Sequence, residues 1–201
     1  MARNAYQPPA PALGVARKLL ALMALAYLAG VAVGLQAPRQ EAEMVIEQAR
    51  ELVRRIFTTD PLELALRIFL NNARVALITA LLSPLVVAPG LLVFINGVVL
   101  GIALTYAASK LGWAVAMASV LPHGVLEIPA LLLAASASTS LGLAIWRAAR
   151  GRKREPWKKA LWGFAKTFAA SLALFAVAAL IEAIVTPLLA SLARHLFAHP
   201  M

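Results

Sequence analysis

Between Val75 and Ser109 no side chain carries a formal charge, and the run is broken only by Ser83-Pro84 and Pro89-Gly90. A helix of about 20 apolar residues crosses a hydrocarbon core of about 30 Å, so this stretch holds two spans joined by a proline-marked turn. Leu19 to Leu35, Trp113 to Ile145 and Phe168 to Leu189 are further apolar stretches of spanning length. The basic flank Arg17-Lys18 would also suit a secretory signal peptide, but the long apolar run and the spans after it make Leu19 to Leu35 the first span.

Composition agrees: 62% of residues are apolar, 14% are charged and the mean hydropathy is +0.81, which excludes a water-soluble domain. The net charge of +10 does not point to nucleic acid, because the basic residues gather between apolar runs. With no cysteine in the chain, disulfides, thiol nucleophiles and thiolate metal sites are excluded.

The basic clusters set an orientation through the positive-inside bias. Arg3, Arg17 and Lys18 precede the first span, and Arg147, Arg150, Arg152, Lys153, Arg154, Lys158, Lys159 and Lys166 precede the last. An even number of spans between them puts both clusters on the cytoplasmic side of the cell membrane. The expected organisation is therefore a cytoplasmic leader (1–18), a first span (19–35), an external amphipathic helix (36–60), a helical bundle (61–190) with a cytoplasmic basic loop (146–166), and an external tail (191–201).

In the external segment, Val45, Ala49, Leu52 or Val53, and Ile56 recur at helical spacing opposite Glu47, Arg50, Glu51 and Arg54. This predicts a lid on the membrane surface or on the bundle, with partner docking as the alternative. Asp60-Pro61-Leu62-Glu63 then offers a capping side chain, a proline suited to the first helical turn and an acid near the helix start. The second span is expected to begin at Pro61, with Glu63, Arg67 and Arg74 in its outer portion.

The candidate site lies in Ser119 to Gly142, where His123 and Glu127 are the ionisable residues of an otherwise uncharged segment. Pro122 and Gly124 weaken helix continuity, so a broken or re-entrant helix is expected near Pro122-Gly124, with Trp113 to Leu121 as a separate short helix. Below it Ala130, Ala134, Ser138 and Gly142 form a small-residue stripe suited to close helix approach. A carboxylate within the bilayer must be protonated, paired or beside water. Asn96, His123, Glu127 and Glu182 are accordingly candidates for a polar network, or for a transport path.

No metal, cofactor or catalytic residue is assigned. His123-x-x-x-Glu127 lacks the spacing and the second histidine of a helical zinc site; His195 and His199 lack further ligands; Ser119 and Ser136 lack an assembled base. Gly30 and Gly34 in the first span, and Gly97 and Gly101 in the third, are helix-packing residues, serving the bundle or, alternatively, a homodimer face on the first span.

Asn71-Asn72, Asn96-Gly97 with Gly101, and above all Leu121-Pro122-His123-Gly124 followed by Glu127-Ile128-Pro129-Ala130 resemble the stage II sporulation protein M family. The resemblance covers roughly residues 60 to 190. It implies an all-α, polytopic membrane protein without established catalytic chemistry. In spore formers it implies a scaffold that recruits cell-wall-degrading partners; members also occur in organisms that make no spores. The expectation is a non-enzymatic membrane scaffold, in contact with membrane lipids and cell-envelope proteins and binding no nucleic acid. The alternative is a small transporter, channel or lipid-handling protein using the His/Glu path.

Overall fold

The computed structural model describes residues 13–56, 58–151 and 157–197. The chain is all-α: α1 (Leu13–Gly34), α2 (Arg39–Ile56), α3 (Pro61–Leu81), α4 (Ala88–Leu111), α5 (Trp113–Ala149) and α6 (Trp157–Phe197). Among the described residues five helices are long and apolar enough to cross a membrane, within Arg17–Gly34, Pro61–Leu81, Ala88–Leu111, Gly124–Ala149 and Lys159–Val185. They correspond to the five expected runs.

The start of α3 follows the sequence signal closely. The Asp60 carboxylate accepts from the backbone N–H of Leu62 at 2.8 Å and of Glu63 at 3.2 Å, satisfying donors that have no partner within the helix. Pro61 occupies the first turn, where its missing N–H costs nothing. The turn from α3 to α4 spans the proline-marked region, and α4 passes into α5 through Gly112, whose φ of 80° is a left-handed conformation that favours glycine.

Two expectations are corrected. The helix is not broken at Pro122-Gly124: α5 is continuous from Trp113 to Ala149. A proline removes one N–H donor from the helix ladder, a loss that membrane helices tolerate where surrounding groups satisfy the freed carbonyl. The basic segment 146–166 is also largely helical, because α5 continues to Ala149 and α6 starts at Trp157. Trp146 and Trp162 carry Arg150 and Lys166 over their rings at 5.1 and 5.3 Å, an amphipathic pairing suited to the lipid–water boundary. The expected external tail is helical to Phe197.

Bundle assembly rests on small residues. α1 and α4 run parallel, with Gly30 against the Phe94 carbonyl, Gly34 against that of Val98, Gly97 against that of Tyr27 and Gly101 against that of Val31. The backbones meet with no room for a Cβ at any of the four positions. Both glycine pairs are thus used within one chain, and the face proposed for a homodimer on the first span is occupied by α4. Without a hydrophobic drive between helices in lipid, such close van der Waals contact is what holds them.

The stripe on α5 is used the same way. Ala130, Ala134 and Ser138 are fully buried, and Gly142 receives the Ser83 carbonyl of the α3–α4 turn. Trp146 donates its indole N–H to the Pro84 carbonyl at 2.8 Å, and the Ser171 hydroxyl of α6 donates to the Ala130 carbonyl of α5 at 2.7 Å. Ser171→Ala is expected to lower stability by about 1 kcal/mol, since Ala130's carbonyl also serves its own helix. Thermal unfolding in detergent measures it.

α2 packs against α4 and, to a lesser extent, α3, with Ala42 buried. It therefore covers the bundle rather than standing away from it. The side chains of Ala49, Leu52, Val53 and Ile56 lie outside the described residues.

Candidate functional site: an intramembrane polar cluster

The centre of the bundle is an apolar cluster formed by Met23 and Tyr27 of α1, Ala76 of α3, Val93 of α4, Ala130, Leu131, Ala134 and Ala135 of α5, and Phe175 of α6. Glu127 lies one turn before Ala130 on α5 and is half-buried. It acts electrostatically on the buried phenol of Tyr27 and makes a further interaction besides. The carboxylate is thus an engaged group at the edge of the core, where α1 meets α5.

Tyr27 was not a sequence candidate. Its flanks read as an ordinary apolar span, and a single tyrosine in such a run signals an interfacial anchor as readily as a buried neighbour of a carboxylate. Only the α1–α5 packing distinguishes the two.

The other expected members are placed differently. Asn96 is half-buried and donates its amide to the Leu92 carbonyl of its own helix at 2.8 Å. Glu182 is half-buried on α6 and has no hydrogen bond or ion pair among the described residues. α5 and α6 are antiparallel and registered by the Ser171–Ala130 bond. Helix rise then separates Glu127 and Glu182 by about 12 Å along the bundle, so the two acids do not share one site. The side chains of His123, Ser119 and His195, and the whole of His199, lie outside the described residues.

Below Glu127 the interior polar side chains are mostly closed on helix backbone. Thr79 donates to Val75, Ser136 to Leu132 and Ser138 to Ala134, each within its own helix, and Ser171 donates across to Ala130. Such bonds remove the penalty of a bare hydroxyl in a low-dielectric interior. The hydroxyl oxygens of Thr105 and Thr139 are buried and have no partner among the described residues. Among the described residues no group of three or more potential metal-binding His, Asp or Glu side chains occurs.

An apolar groove of about 340 Å³ opens at the other end of α5, lined by the 84–88 turn and Trp146. It lies about 28 Å along α5 from Glu127 by helix rise and does not communicate with the cluster.

Neither a curated protein nor a solved structure matches the chain. The family model described as stage II sporulation protein M matches residues 19–187, a range that takes in the first span as well as the region from residue 60 onward. With this match extending over most of the chain, from the glycine face of α1 to the end of the α6 span, the protein belongs to the stage II sporulation protein M family.

Proposed function

We propose that this chain is a non-enzymatic scaffold of a complex in the cell membrane. The observation supporting this reading is the closure of Thr79, Ser136, Ser138 and Ser171 on helix carbonyls, which leaves Thr105 and Thr139 as the buried hydroxyls without a partner among the described residues. A scaffold needs rigid helix positions and outward-facing contacts. A bundle knitted by glycine contacts and short hydroxyl bonds meets the first demand. Self-association, where it occurs, runs through a surface other than the glycine face of α1.

Co-purification from native membranes in mild detergent, followed by mass spectrometry, tests the proposal. Recovery of a stoichiometric membrane or cell-envelope partner is the expected result; a solitary chain under conditions that preserve other complexes rejects it.

A second reading, transport or lipid handling, is favoured by one observation: Glu127 is an ionisable group half-buried within a span, within electrostatic range of the buried Tyr27. His123 is a further candidate for the path in this reading on sequence grounds alone. Both readings share the orientation derived from the basic clusters, with the amino terminus cytoplasmic and the carboxyl terminus external. Reporter fusions at Arg154 and within residues 40–58 are expected on the cytoplasmic and external sides respectively; a reporter at Arg154 found outside rejects that orientation.

A further inference from the structure

The outward face of α3 is a leucine stripe interrupted once. Leu62, Leu66, Leu70, Leu77 and Leu81 are each more than half exposed, and in their midst sits Arg74, exposed as well. The opposite face holds the buried Ala65, Asn72, Ala76 and Thr79. Arg67, nearer the helix start, is paired with Glu63. Arg74 makes no ion pair, hydrogen bond or ring contact among the described residues.

Position makes this arginine unusual. α3 runs from Pro61 to Leu81, so helix rise puts Arg74 about 20 Å from one end and about 10 Å from the other. It does not stand in the outer portion of the span, as the sequence suggested, but deep within it. A long side chain on a helix leans toward the helix amino end. For Arg74 that direction leads away from the nearer membrane surface and its phosphates. A bare guanidinium there is costly, which makes an intramembrane arginine a functional candidate by default.

Asn71, one turn toward the amino end, is half-exposed and has no hydrogen bond among the described residues, so the stem of Arg74 leans past a second polar group that lacks a bond. Within this chain Glu127 is already engaged in its own bundle and Glu182 is half-buried on α6.

We infer that the outward face of α3 docks a transmembrane helix of a different protein, one that carries an aspartate or glutamate at mid-span and pairs it with Arg74. The planar guanidinium forms a two-bond fork with a carboxylate, and Asn71 supplies an additional donor or acceptor at its edge. The inference rests on the scaffold reading and names the surface and the chemistry by which that scaffold holds a partner.

The test places a photoactivatable cross-linking residue at Leu70 or at Leu77 of the full-length chain in its native membrane, with Arg74 unchanged, Arg74→Leu or Arg74→Lys. The expected result is a discrete adduct to another membrane protein, mapping to a span that contains an Asp or Glu. Its yield falls at least about tenfold in Arg74→Leu and by a smaller factor in Arg74→Lys, which keeps the charge but loses the two-bond fork. Arg74→Leu extends a leucine face, so its melting temperature should not fall, separating loss of docking from loss of fold.

Adducts to lipid alone, to a second copy of this chain, or to a protein whose capture is indifferent to Arg74→Leu overturn the inference. A complex that co-purifies but ignores Arg74→Leu overturns this docking face and leaves the scaffold reading standing. Absence of any complex rejects the scaffold reading itself.

Discussion

Gly34→Ile should separate α1 from α4 and cost about 3 kcal/mol or more, at the upper end of overpacking penalties. A Cβ at Gly34 falls on the Val98 carbonyl oxygen and within 3.0 Å of the Gly101 Cα, so the obstruction is backbone on both sides. A flexible side chain could turn aside; a helix backbone can yield only by moving the helix. Gly30→Ile meets the Phe94 carbonyl in the same way and should act similarly. Because the chain has no cysteine, spin labels on cysteines introduced at the exposed Leu28 and Val99 report the α1–α4 distance within one molecule. A lengthened distance and a lower melting temperature are expected. An unchanged distance with a lower dimer fraction would instead assign the glycines to contact between chains.

Glu127 gives the second large effect, and its sign depends on the reading. If the carboxylate serves a structural cluster with Tyr27, Glu127→Gln keeps shape and much of the hydrogen bonding and should be mild. Glu127→Leu would leave polar neighbours unsatisfied and lower stability by about 1–3 kcal/mol. If the carboxylate serves transport, Glu127→Gln should abolish flux while the fold stays intact, since ionisation alone is lost. Melting temperature and reconstituted proton or solute flux on both substitutions separate these cases. A folded protein indifferent to Glu127→Leu in both assays defeats the two together.

Much of the architecture is legible in the sequence. Asp60-Pro61 announced the start of α3 because capping is local: the side chain bonds to N–H groups two and three residues ahead. The five spans were readable because lipid removes water as a hydrogen-bond partner and so demands apolar helices of a known length. The α5 stripe from Ala130 to Gly142 was readable from its four-residue period. Pro122 misled for a related reason. Its local effect is to remove one donor, and whether a helix breaks there depends on neighbours that a sequence does not place.

For the candidate site, the sequence by itself determined that an acid at Glu127 sits within an apolar helix and must be satisfied. Its surroundings were decided by tertiary structure: the packing of α1 on α5 puts the buried Tyr27 within electrostatic range, Asn96 turns to its own helix, and the register of α5 against α6 keeps Glu182 away. The glycine motifs divide in the same manner. Spacing alone made Gly30, Gly34, Gly97 and Gly101 close-packing positions, but only the fold paired them within one chain. Arg74 is the clearest case, since its charge is written in the sequence while its outward direction is set by which face of α3 the other helices cover. Periodicity and desolvation act along a single helix, so the sequence carries them. Which helix covers which face is settled by packing between residues distant in the chain, and only the assembled bundle determines it.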